Sequence, residues 1–213
     1  AIVRMFDIEK IRADFPILER EVNRRKLVYF DSGATAQKPL SLINLTDKLY
    51  SEYNANIHRG VHHLSGQMTD MYEAARERVR RFIGAECREE VVFTAGATAS
   101  INLVAYAWSE RFLRKGDNVV VSEMEHHSNI VPWQLACERK GAELRVLPFD
   151  DRGALRTDML DELIDEHTKM VAVTEASNTL GTMPDLAPII AKAHAAGAHV
   201  MVDGCQGIVH GGG

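Results

Sequence analysis

Ala198-His199-Val200-Met201-Val202-Asp203-Gly204-Cys205-Gln206 joins a short apolar run to an acid and an amide. The run has the length and composition of a buried strand, so the polar pair falls where that strand should emerge into a site. Working outward, β-rich runs at Val91–Thr94, Asn118–Ser122, Glu143–Leu147, Met170–Thr174 and His199–Val202 alternate with helical stretches at Thr98–Arg111, Ile130–Arg139, Thr157–Ile164 and Leu186–Ala195. That alternation predicts an α/β fold with helices packed on a mostly parallel sheet. Gly116, Gly141 and Gly197 mark helix ends ahead of strands, and no repeat or low-complexity tract interrupts the pattern.

The amino-terminal part reads differently. A short helix is expected near Asp7–Asp14, ended by Pro16, then a strand at Leu27–Phe30 opening into the loop Asp31–Thr35. Helices are expected at Pro39–Tyr53 and Thr69–Ile83, separated by a polar loop around Asn54–Ser65, with Gly84 as a helix stop. The organisation is an amino-terminal segment, residues 1–30, and one large domain, residues 31–213. Ala1–Arg4, upstream of Met5, is expected to be an expression remnant without structural weight.

Composition bounds the function. The chain has 213 residues, 46% hydrophobic and 26% charged, which suffices for one sizeable core. With 25 Lys+Arg against 30 Asp+Glu the formal charge is −5, and Arg76, Arg78, Arg80 and Arg81 alternate with other positions as a solvated helix face does. A nucleic-acid partner is therefore not expected, nor is a membrane partner, since no membrane segment is present. The three cysteines form no CxxC and no paired framework, which points to a reducing, cytoplasmic setting. Nine histidines include His62-His63 and His126-His127, but adjacent residues seldom chelate one tetrahedral metal, no H-E-x-x-H occurs and the cysteines are scattered, so no metal site is expected.

In an open parallel sheet the ligand crevice lies beyond the carboxyl ends of the strands, and four of the five strands end in polar clusters. Gly96-Ala97-Thr98 closes a strand and opens a helix, leaving N–H groups and a positive dipole end suited to a phosphate. His126, after the second run, offers a flat imidazole to an aromatic ring. Asn178, after the fourth, offers an amide to a carboxylate or a phenolate. Asp203 suits a protonated pyridine nitrogen and Gln206 a phenolate oxygen on the same ring, which together describe pyridoxal phosphate (PLP). Each residue also has a plainer reading: a turn, an exposed loop histidine, a helix cap.

Asp31-Ser32-Gly33-Ala34-Thr35-Ala36-Gln37-Lys38-Pro39, His58-Arg59-Gly60, Phe93–Thr98, Glu125-His126-His127-Ser128-Asn129-Ile130-Val131-Pro132-Trp133 and Asp203–Gln206, taken in order, resemble the cysteine desulfurases of the SufS/CsdA group. These belong to the class V aminotransferase family of fold-type I PLP enzymes. The resemblance implies a three-layer α/β/α large domain, truncated at its carboxyl end. It also implies that Ala97 and Thr98 hold the cofactor phosphate, that His126 stacks on the ring, that Asp203 and Gln206 bond it, that Asn178 fixes the substrate carboxylate and that His58 sits near the substrate thiol.

The implied reaction converts L-cysteine to alanine and leaves sulfur as an enzyme persulfide for iron–sulfur cluster assembly. A homodimer and a sulfur-acceptor protein are the implied partners. Selenocysteine lyase is the alternative reaction, and a non-catalytic binding domain the alternative of another kind. Many relatives have Thr at Ala97 and Glu at Ala99. The family's cofactor-anchoring lysine, nucleophilic cysteine and carboxylate-binding arginine have no counterpart before Gly211-Gly212-Gly213. The chain is thus expected to be the amino-terminal half of such an enzyme, inactive alone and binding PLP weakly at most. Cys205 is read as a packing residue.

Overall fold

The computed structural model describes residues 7–210, so Ala1–Arg4 and the terminal glycines fall outside it. The chain packs as two units, Ala1–Val92 and Phe93–Gly213.

In the first unit, α1 (Ile8–Ala13) starts at Asp7, whose side chain accepts from the Lys10 amide at 3.1 Å. A hairpin follows, β1 (Glu21–Val22) pairing antiparallel with β2 (Arg25–Lys26) across Asn23 and Arg24, both at positive φ. The sequence predicts the strand later, at Leu27–Phe30. That stretch forms no ladder, and Phe30 is 95% exposed. β-propensity marks where a chain can extend, but a strand also needs a partner backbone. Helix α2 (Leu40–Lys48) runs into a π-helical turn over Leu49–Tyr53. Helix α3 (His63–Ile83) begins six residues earlier than expected because the His62 side chain caps it, accepting from the Ser65 amide; it ends at Gly84 with φ +71°. Histidine lies outside the usual cap set of Ser, Thr, Asp and Asn, which hid this start.

The second unit holds the parallel sheet. Helix α4 (Ala97–Phe112) leads into β3 (Asn118–Ser122); α5 (Val131–Lys140) connects this to β4 (Glu143–Leu147). A 3₁₀ turn at Thr157–Met159 and α6 (Leu160–Leu163) lead to β5 (Thr168–Thr174), and α7 (Ala187–Ala195) leads to β6 (His199–Asp203), followed by the short α8 (Gly207–His210). The order is β4-β3-β5-β6, with every neighbouring pair parallel. The sequence predicts a fifth strand at Val91–Thr94. The run joins no ladder among the described residues, and Val92 is exposed.

Side-chain alternation divides the core into two layers. Val119 and Val121 of β3 and Met170 and Ala172 of β5 pack with Ala105 of α4 and Trp133 of α5. Val120, Val171 and Val173 point the other way, to Leu160 of α6 and Ile189 of α7. Helices thus cover both faces, which explains why β3 is buried at every position. Each fully buried valine contributes on the order of 2 kcal/mol. The edge strands β4 and β6 share one burial pattern, exposed at the first and fourth residues and buried only at the last. In β4 that last residue is Leu147; in β6 it is Asp203.

The order also sets the crevice. From β3 the chain steps outward to β4 over one face, then returns past β3 to β5 over the other. The loops leaving β3 and β5 therefore part in opposite directions, the arrangement that opens a ligand crevice in such sheets.

Candidate functional site

The β3 loop carries His126 into a 3₁₀ turn, His127–Asn129. The Ser128 amide donates to Nδ1 of His126 at 3.1 Å, and the Ser128 hydroxyl lies 2.7 Å from the same atom. A backbone N–H can only donate, so Nδ1 accepts and the neutral ring carries its proton on Nε2. His126 is exposed and its ring is held by its own turn.

Beneath it lies Glu125, to which the sequence reading gives no role. It is 8% exposed, and its carboxyl group contacts the Ser122 hydroxyl, receives the Thr174 amide at 2.7 Å and receives the Asn129 side-chain amide at 2.6 Å. Asn129 in turn accepts from the Trp133 indole at 3.1 Å. Burial pushes the Glu125 carboxyl up and the charge of Asp203 adds to this, while the three hydrogen bonds oppose it. The one trace in the sequence is the four-residue spacing of Glu125, Asn129 and Trp133.

Asp203 ends β6 opposite Thr174. Its carbonyl accepts from the Glu175 amide at 3.0 Å and its Oδ1 from the Cys205 amide at 3.0 Å. It is 8% exposed, and no lysine, arginine or histidine pairs with it among the described residues. A nearly buried carboxylate without a cation suits a ligand that brings one.

Asp203 and Ala97 line one cavity of about 320 Å³, walled mostly by apolar side chains including Ile101, Val104 and Met201. Ala97 begins α4 after Gly96, whose φ of +150° favours glycine although a Cβ there would meet open space. Gly96 contributes no side-chain cap, so the N–H groups of Ala97 and Thr98 lack helical acceptors. Thr98 is exposed beside them.

Asn178 is exposed on the loop after β5. That loop closes on Ser177, whose hydroxyl receives the Thr179 and Leu180 amides at 3.3 and 3.1 Å. Gln206 is partly exposed ahead of α8, and its carbonyl accepts from His210 at 3.1 Å. The cavity wall includes neither His126, Asn178 nor Gln206.

His58 belongs to the first unit. Its φ is +62°, its amide donates to the Thr69 hydroxyl at 2.9 Å, and its Nε2 lies 2.9 Å from Glu73. The ring stands edge-on to Tyr72 at 5.4 Å. Glu73, also without a role in the sequence reading, lies 3.6 Å from Arg76 and 3.7 Å from Arg88.

The cysteines are free. Cys137 is buried, which pushes its thiol up to about 11. Cys205 is exposed as a residue, yet its thiol is also pushed up to about 11, chiefly by burial of the sulfur and further by the hydrogen bond and charge of Asp203. No group of three or more metal-ligating side chains occurs among the described residues, and no helix there is long and apolar enough to cross a membrane.

The sequence profile described as "Aminotransferase class-V" matches residues 28–212. A cysteine desulfurase of Enterobacter sp. (strain 638) is 50% identical over 205 residues, covering 96% of this chain and 50% of the relative. The solved cysteine desulfurase CsdA of Escherichia coli is 41% identical with a TM-score of 0.81, over 95% of this chain and 49% of that one. The cysteine desulfurase of Thermococcus onnurineus NA1 is 37% identical with a TM-score of 0.83, over 92% and 47%. The chain spans about half the length of the relatives it matches.

Proposed function

The chain belongs to the class-V aminotransferase family, and from that premise we propose that it is the cofactor-binding part of a PLP-dependent cysteine desulfurase. The observation that carries the reading is Asp203: a carboxylate at the end of a parallel strand, nearly buried, without a cation, on a cavity shared with the start of α4. A protonated pyridine nitrogen supplies the missing charge, and the N–H groups of Ala97 and Thr98, together with the Thr98 hydroxyl, suit the phosphate of the same molecule. The residues present fit the group.

When bound, PLP supplies an electron-withdrawing ring that weakens bonds at the substrate α-carbon and, through it, the Cβ–S bond. Asp203 would keep a proton on the ring nitrogen. His126, with its own proton on Nε2, would offer its flat imidazole to the ring, while Gln206 would donate to the phenolate oxygen and Asn178 to the substrate carboxylate. For His58 the family resemblance alone carries the role, near the substrate thiol. In the overall transfer L-cysteine and an enzyme thiol become alanine and a persulfide, so one thiol proton ends on the new methyl group and the other on the persulfide. A thiolate must attack the sulfur, and Cys205, held as a thiol, does not fill that role. A second copy and a sulfur-acceptor protein are the partners this reading carries, in a reducing cytoplasm that suits three free thiols.

The test is a PLP titration of the purified chain, followed by absorbance and tryptophan emission, beside Asp203→Ala and Thr98→Ala. Weak, reversible binding that falls at least fivefold in each variant is expected, with no alanine formed from L-cysteine by the chain alone. Binding indifferent to both substitutions overturns the assignment.

A further inference from the structure

The β3–β5 ladder stops at Val121 opposite Ala172, yet the next inward-facing amide of β5, that of Thr174, is not orphaned. It donates to Glu125 at 2.7 Å, so a side chain of the β3 loop takes the place of a strand carbonyl. The far side of Thr174 is fixed to β6: it pairs with Asp203 in the ladder, and the following amide, Glu175, donates to the Asp203 carbonyl at 3.0 Å. Glu125 therefore spans the gap where the loops of β3 and β5 diverge, with His126 next in sequence on one side and Asp203 one strand away on the other.

The polarity of this bridge is fixed by its ends. The Trp133 indole can only donate, so Asn129 presents its oxygen to Trp133 and its NH₂ to Glu125. The Thr174 amide can only donate as well. Both oxygens of Glu125 must accept, one from each side. A glutamine cannot do this: its NH₂ faces either the Thr174 amide or the Asn129 NH₂, and turning Asn129 over only moves the conflict to Trp133. Each arrangement leaves two buried donors opposed.

We propose that Glu125 is a positioning residue, whose buried carboxyl group holds the turn bearing His126 in register with Asp203. The proposal rests on the reading of those two residues as ring contacts. It adds a group that touches neither ring nor substrate but fixes the distance between the groups that do. Glu125→Gln combined with Asn129→Asp repairs the bridge by reversing one link. The carboxylate then at position 129 accepts both from the Trp133 indole and from the amide at position 125, whose own oxygen accepts from Thr174.

The experiment uses the cofactor-free chain first. Hydrogen exchange at the Thr174 amide and the ring nitrogen signals of His126 are measured by NMR in the wild type, Glu125→Gln and Glu125→Gln/Asn129→Asp. The wild type should show a protected Thr174 amide and the Nε2–H form of His126. Glu125→Gln should exchange at Thr174 at least tenfold faster and shift or broaden the His126 signals, and the double variant should recover both. If Glu125→Gln does not fold, a folded double variant with both wild-type signatures supports the proposal. A single variant that keeps both signatures overturns it, as does a double variant that fails to fold or fails to recover them.

PLP affinity is then read by quenching of tryptophan emission, with a loss of about tenfold expected in Glu125→Gln and recovery in the double variant. An unchanged affinity in a Glu125→Gln protein with displaced His126 overturns the link to the ring. A wild type that binds no PLP, with the NMR signatures as expected, defeats the cofactor reading and leaves the bridge standing.

Discussion

The backbone amide of Cys205 donates to Oδ1 of Asp203 at 3.0 Å, so the acid that ends β6 also organises the turn that follows it. The same carboxylate holds the Cys205 thiol in its protonated form, beyond what burial of the sulfur does. Iodoacetamide should therefore modify Cys205 slowly at pH 8, with a rate that climbs about tenfold per pH unit towards 10 and shows no plateau in that range. Asp203→Asn removes the charge and should speed the reaction at every pH below 10. Peptide mapping by mass spectrometry follows both, and a plateau below pH 9 contradicts the assignment.

Arg24→Gly should stabilise the chain. Asn23 and Arg24 both take positive φ in the two-residue turn between β1 and β2, a conformation glycine adopts without the penalty an arginine meets. A gain of about 0.5–1 kcal/mol in urea unfolding is expected, and a loss would place that turn in another conformation.

Acid should weaken the junction between β4 and β5. Asp165 accepts from Arg145 at 2.8 Å, the Asn118 side chain at 3.0 Å and the His167 amide at 2.9 Å. The Arg145 bond foremost holds its carboxyl well below the usual carboxylate range. A folded-state value below the unfolded one means stability that is complete above the unfolded value, about 4, and lost as pH falls through it towards the folded one. Asp165→Asn should cost about 1–2 kcal/mol at pH 7 and flatten the decline of Tm below pH 4. Parallel Tm curves for the two proteins contradict this.

Gly207→Ala should destabilise the start of α8, because a methyl group there overlaps the Glu175 carboxylate. A cost of about 1–3 kcal/mol is expected. Glu175→Ala in the same chain should return most of it, and a double-mutant cycle measures the coupling. Additive losses would show that the two positions do not collide.

The sheet was legible because its two central strands, buried on both faces, carry unbroken apolar cores: the runs at Asn118–Ser122 and Met170–Thr174 meet β3 and β5, and the more mixed runs at Glu143–Leu147 and His199–Val202 meet the edge strands β4 and β6, all within two residues. Val91–Thr94 has the same composition and forms no ladder, since composition cannot name a partner. The polar strand ends were legible for the same reason as the strands, as His126, Asn178 and Asp203 interrupt apolar patterns. Glu125 was not, because its significance lies in contacts with Thr174, 49 residues away, and with an asparagine oriented by an indole. Glu73 was hidden likewise: on a helix rich in charge, nothing marks one acid as the partner of a histidine 15 residues earlier.

The order β4-β3-β5-β6 has a consequence for synthesis. The strand at the heart of the sheet is the first of the four to leave a ribosome, and β5 follows only when Thr168, 50 residues after Asn118, has emerged. Until then one edge of the most apolar strand, Val119-Val120-Val121, has no neighbour. The nascent chain thus passes through an interval in which its future centre is its most adhesive surface, and shielding by chaperones during that interval matters more than after it.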